Sequence, residues 1–192
     1  MWQILAAPYL AAAALLVVAG GPKIADPLPL VRALRSVALP AGRGLVRTFA
    51  VGEVAIGLAA MVQPSRTTAL LVAALYVGFT AFVGLALARG GVLESCGCFG
   101  KADTPPTRAH LVLTGLLAVA AGALAVAPPP DPVWTGTTLT SAASIVLVGF
   151  AALLAVLAHA VMAVLPLATP AAARSTTRSS ARTAGTPDRR RS

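Results

Sequence analysis

Five apolar runs dominate this chain and limit what it can fold into. They cover residues 2–20, 44–62, 67–88, 109–127 and 138–165. Each is about as long as the roughly 20 helical residues needed to cross a bilayer core. Backbone polar groups in lipid must be bonded within the segment, and the runs are too long for barrel strands, so the runs read as helices. Composition agrees. Only 11% of the 192 residues are charged and the mean hydropathy is +0.84, against about 25% charged in a soluble domain. The first run lacks the basic flank of a signal peptide and reads as a retained helix. The expected fold is therefore an all-α, multi-pass transmembrane bundle with four core helices and a fifth.

The connections differ in kind. Residues 63–66 form a tight turn around Pro64, whereas residues 127–132, "APPPDP", make a stiff connector. Residues 21–44 are longer and patterned. Asp26 and Pro27 signal a helix start. Leu30, Leu34 and Val37 then share one face and Arg32 and Arg35 another, as in a short helix lying in the membrane interface. From residue 169 the chain is rich in Ser, Thr, Ala and Arg and ends "PDRRRS". It has too little apolar surface to fold. The expected organisation is a transmembrane domain over 1–168 and a disordered basic tail over 169–192.

A net charge of +9 raises the question of nucleic acid. The charges, however, fall between apolar runs, so the lipid bilayer is the expected partner and no nucleic acid is. With loops on alternating sides, one side carries fourteen Lys and Arg residues, including six arginines of the tail, and the other carries Arg66 alone. The positive-inside bias then places the N-terminus outside and the tail in the cytoplasm of a cell-membrane protein. The tail arginines suit anionic headgroups, although a solvated topology anchor with no binding role is the preferred reading.

Three side chains are candidates for chemistry. Glu53 lies near the middle of the second run, where a carboxylate costs at least ~2.5 kcal/mol and must face the bundle interior. Arg47, His110, His159 or a backbone group are its expected partners. It can relay protons, serve the thiol site, or only lock two helices together. Cys96 and Cys98, the only cysteines, sit one glycine apart in "ESCGCFGK". A disulfide across so short a loop is strained and more oxidising, and Gly97 tolerates the backbone it needs. Lys101 nearby favours a thiolate. Thiol–disulfide exchange is one reading, and two unreactive thiols in a tight turn is the other. Two thiolates do not fill a tetrahedral metal site even with His110 as a third ligand, so no metal is assigned. His159 reads as a packing residue, and Gly52, Gly57, Gly78 and Gly84 as sites of close helix approach. The chain has no phosphate-binding loop or nucleophile elbow, and no cofactor is assigned.

Three motifs together carry a resemblance: "GPKIADP" (21–27), "GEVAIG" (52–57) and "SCGCFG" (95–100). In these and in their spacing the chain resembles the MauE family of methylamine utilisation membrane proteins, related to the DoxX-like proteins, over about residues 10–127. The resemblance implies a membrane factor that helps mature the disulfide-rich, quinone-bearing small subunit of methylamine dehydrogenase outside the cytoplasmic membrane. It also implies a thioredoxin-like protein acting alongside. It implies Cys96 and Cys98 as a CxC redox pair and adds weight to Glu53. If the chain is an enzyme, thiol–disulfide exchange is its activity. A solute or proton pathway centred on Glu53 and a non-catalytic anchor subunit are the alternatives. The chain departs from the family at Leu113 and Thr114, where members often carry an Arg-Asn or similar polar pair. One conflict stands: maturation of an exported partner belongs on the oxidising side, whereas the charge bias puts the thiols on the reducing side.

Overall fold

A computed structural model describes residues 2–36, 38–89, 107–127 and 141–163. All regular structure among them is helical: α1 (Trp2–Ala25), α2 (Leu28–Ser36), α3 (Arg43–Val62), α4 (Arg66–Ala88), α5 (Arg108–Val126) and α6 (Ser141–Ala163). Five of the six, all but α2, are long and apolar enough to cross a membrane. The expected four core helices, fifth helix and short helix in the first connection are all present.

The helix ends follow from local chemistry. The Ser65 side chain accepts the backbone N–H of Thr68 while the Thr68 hydroxyl accepts that of Ser65, so two otherwise orphaned donors are satisfied at the start of α4. Thr107 and His110 make the same reciprocal cap at the start of α5. Asp26 Oδ1 accepts the Leu28 N–H at 3.0 Å, which is the helix start expected at Asp26 and Pro27. At the end of α2, Leu39 N–H reaches Leu34 O and Ala38 N–H reaches Arg35 O, with Ala38 in the left-handed region at φ 57°. This pairing closes a helix by satisfying its last carbonyls, and glycine usually fills the left-handed position.

The end of α1 differs from the expectation. The first helix runs on past Gly20, through Pro22, to Ala25. A proline ring crowds the Cβ of the residue before it, but that residue is Gly21 and has none. Only one intrahelical bond is lost so close to the end. The extra turn carries Lys23 into the interior, with consequences below.

The helix α1 is the hub. It packs against α3, α5 and α6, and α4 packs against α5. Tyr9, Leu10, Leu15 and Leu16 of α1 meet Val72 and Tyr76 of α4 and Leu117 and Leu124 of α5 in one apolar core. By contrast α6 is peripheral. It buries Ala151 but exposes Ile145, Val146, Phe150 and Leu153. The helix α2 tucks Ala33 against Ala86, Phe82 and Leu85 near the end of α4. Its buried positions include Val31 and Ala33, with Leu30 and Leu34 only half-buried, so the covered face is broader than the expected stripe. Val37 and the tail beyond residue 163 lie outside the described residues.

Close helix approach uses fewer glycines than expected. A Cβ at Gly57 would stand 2.7 Å from Ala13 O, and one at Gly20 would stand 2.6 Å from Val54 Cγ2 and 3.0 Å from Ala50 O. These two residues let α1 and α3 meet backbone to backbone. Gly84 makes ordinary contact with Leu111. Gly52 and Gly78 have nothing within 4 Å of an added Cβ and do not serve packing. Gly78 is exposed on α4 and Gly52 half-buried on α3.

Candidate functional site: a buried ion pair between α1 and α3

Glu53 is the eleventh residue of the twenty in α3 and is completely buried. Both carboxylate oxygens accept from Lys23 Nζ, at 2.7 and 2.8 Å. Lys23 is itself only 2% exposed. Lys23 was not among the expected partners; Arg47, which was, is exposed on α3. The physical reason is the added turn of α1. Gly20 brings the two backbones together, and Lys23, one turn later, lies across from Glu53.

The walls of the pair are aromatic. Lys23 Nζ lies 5.1 Å from the centroid of Phe79 on α4, a distance at which the ring face attracts a cation. Phe79 meets Tyr76 and Phe49 edge to face, at 5.7 and 6.2 Å between centroids. The Tyr76 hydroxyl donates to Ala12 O at 2.9 Å, tying α4 to α1. One ion pair therefore joins α1 to α3, and its aromatic cover joins both to α4. Breaking a buried pair by removing one member leaves an uncompensated charge and costs about 3–5 kcal/mol.

The other polar groups form separate connections. His110 is buried, with Nδ1 2.8 Å from Thr107 Oγ1 in the α5 cap. His159 is half-buried on α6. Thr114 is buried on α5. It donates to His110 O at 2.8 Å and lies 3.0 Å from Thr80 Oγ1, joining α5 to α4. Tyr9 donates to Thr68 Oγ1 at 3.0 Å near the start of α4.

Cys96, Cys98 and Lys101 lie outside the described residues. The flanking helices do show where the chain leaves and returns. Arg89 caps the end of α4 and Thr107 the start of α5. The helix α2, two residues after α1, packs near the end of α4. The Lys23–Glu53 pair, held by the last turn of α1, is thus in the half of the bundle nearest that connection. Among the described residues no group of three or more His, Cys, Asp or Glu side chains is placed to hold a metal ion.

Lys23, Tyr76 and Phe79 are the site residues that sequence reasoning missed. A signal for Lys23 existed. It stands three residues beyond an apolar run of 19, within reach of a span that a proline does not have to end.

A family model described as methylamine utilisation protein MauE matches residues 1–127, which take in α1 to α5. No curated protein and no solved structure matches the chain. The matched region covers well over half of the sequence and includes all three motifs and the ion pair. With five span-length helices, this multi-pass membrane protein belongs to the MauE family.

Proposed function

We propose that the chain is a factor for redox maturation of a partner protein, with Cys96 and Cys98 as an exchanging thiol pair. Family membership supports the broader role of a membrane accessory protein in methylamine utilisation. The observation that carries the finer reading is that the family match runs through the only two cysteines, held one glycine apart. In the oxidising direction, a client thiolate attacks one sulfur of a Cys96–Cys98 disulfide. That S–S bond breaks, a mixed disulfide forms, and the other cysteine leaves as a thiolate. The second client thiolate then attacks the mixed disulfide. The client departs with its own disulfide, two electrons poorer, and the pair remains as a dithiol. A thioredoxin-like protein in its disulfide form re-oxidises it by the same two exchanges.

The proposed orientation has the N-terminus outside and the tail in the cytoplasm. Lys23 is consumed by Glu53, so thirteen of the fourteen basic residues on that side still count toward the bias. On this orientation the thiols face the reducing side, where a dithiol is the resting state, so the orientation and the maturation of an exported client exclude each other. Labelling intact cells with a membrane-impermeant maleimide tests function and orientation together. External labelling that appears only after reductant supports an exported disulfide and the maturation role, and overturns the orientation. Labelling that needs cell opening but no reductant supports the orientation and removes the maturation role.

A second reading rests on a different observation, the carboxylate buried midway along α3. A solute or proton pathway centred on Glu53 predicts that Glu53→Gln abolishes function while Cys96→Ser with Cys98→Ser leaves it intact. Redox maturation predicts that the double Ser variant abolishes function, whereas Glu53→Gln lowers it only in proportion to the folded protein lost with the ion pair.

A further inference from the structure

We propose that the end of the bundle bearing α2 is a docking surface for anionic phospholipid headgroups, built from arginines of the folded helices and independent of the arginine-rich tail. Arg32 and Arg35, three residues apart, share the outward face of α2, while Val31 and Ala33 are buried beneath it. Arg35 donates from Nε and from a terminal guanidinium nitrogen to Ala41 O, at 3.3 and 3.1 Å. Its head is thereby held two residues from the start of α3. Arg43 and Arg47 follow there, four residues apart on one exposed face. Arg108 stands at the same end, at the opening of α5, and is exposed.

What lies below these arginines selects the partner. Along α3 the face of Arg43 and Arg47 continues to Val51, 54% exposed. Along α5 the face of Arg108 continues to Val112, Leu116 and Val119, at 57, 60 and 69% exposed. Arg43 and Arg47 on α3 and Arg108 on α5 therefore crown exposed apolar faces of membrane-spanning helices. An arginine in that position extends its charged head to the headgroup layer. A soluble acidic protein or a nucleic acid does not meet both the apolar stripe and its crown; a phospholipid with an anionic head does.

Among the described residues the acidic side chains are Asp26 and Glu53. Asp26 accepts the Leu28 N–H and Glu53 is enclosed with Lys23. The opposite end is different. It has Arg66 as its one cation, and its helix ends expose Ile4, Val62 and Val126. The asymmetry predicts that anionic lipid acts at one end of the bundle.

The test uses the full-length protein in nanodiscs of phosphatidylcholine, with and without phosphatidylglycerol. Thermal stability is expected to rise with phosphatidylglycerol and the rise to shrink in high salt. Replacing Arg32, Arg43, Arg47 and Arg108 together by Gln is expected to remove the rise while leaving the melting temperature in pure phosphatidylcholine unchanged. The matching Lys variant should retain it, and Gln at all six tail arginines should leave it in place. If the fourfold Gln variant does not fold, Arg47→Gln alone is read by phosphatidylglycerol titration, with about fivefold weaker apparent affinity expected for one arginine near the surface. Equal stability in both lipids overturns the proposal. So does a response abolished by the tail variant and untouched by the fourfold one.

Discussion

Two helix seams of this bundle, α1–α3 and α4–α5, solve the same problem differently. Between α1 and α3, Gly20 and Gly57 bring the backbones together and a buried ion pair joins them. Between α4 and α5 there is no buried charge among the described residues; larger side chains meet, and a single hydroxyl contact links Thr80 to Thr114. In lipid the apolar faces gain nothing from leaving water, so association depends on packing and polar contacts. The α4–α5 seam is neutral and gains from its apolar packing. The α1–α3 seam adds a strong, specific contact that works in one register. A one-residue slip of α1 would strand two charges in the interior.

The contrast can be broken at three points. The largest effect is expected at the ion pair. Lys23→Met or Glu53→Leu leaves one charge without its partner and should cost about 3–5 kcal/mol, read as a fall in thermal midpoint in a fixed lipid. Gly57 comes next. Gly57→Ala places a methyl 2.7 Å from Ala13 O, a backbone atom that cannot swing aside. About 1–3 kcal/mol of destabilisation is expected from such overpacking. Gly78→Ala meets nothing within 4 Å and serves as the control, with no loss expected. The smallest effect lies in the neutral seam. Thr114→Val removes the Thr80 contact and should cost about 0.6 kcal/mol, the average for a hydrogen bond between membrane helices. A Thr114→Val loss as large as that of the ion-pair variants would erase the distinction between the seams.

Legibility in the sequence followed the same division. The five spans were readable because apolar runs of that length have one stable backbone solution in lipid. The short helix α2 was readable from Asp26, Pro27 and the spacing of its leucines and arginines. Glu53 was readable as interior because a midway carboxylate has no tolerable outward position. Its partner was not. Gly20, Gly21 and Pro22 look like a helix terminus, yet the missing Cβ of Gly21 lets the turn continue to Lys23. The packing glycines were half readable, since small size permits close approach but does not say which face of a helix has a neighbour. Gly57 has one; Gly52 and Gly78 have none. Cys96 and Cys98 stand on sequence and family alone, as the proposed exchange site.

The measurement that bears most directly on the α1–α3 seam is a double-mutant cycle at the pair. The parent, Lys23→Met, Glu53→Leu and the double variant would be melted in the same lipid. A buried pair replaced whole by apolar groups is often neutral, whereas either half removed alone is costly. The double variant is therefore predicted to recover most of the stability that each single variant loses. Additive losses, with the double variant melting lowest of the four, would contradict the ion pair as the contact that joins α1 to α3.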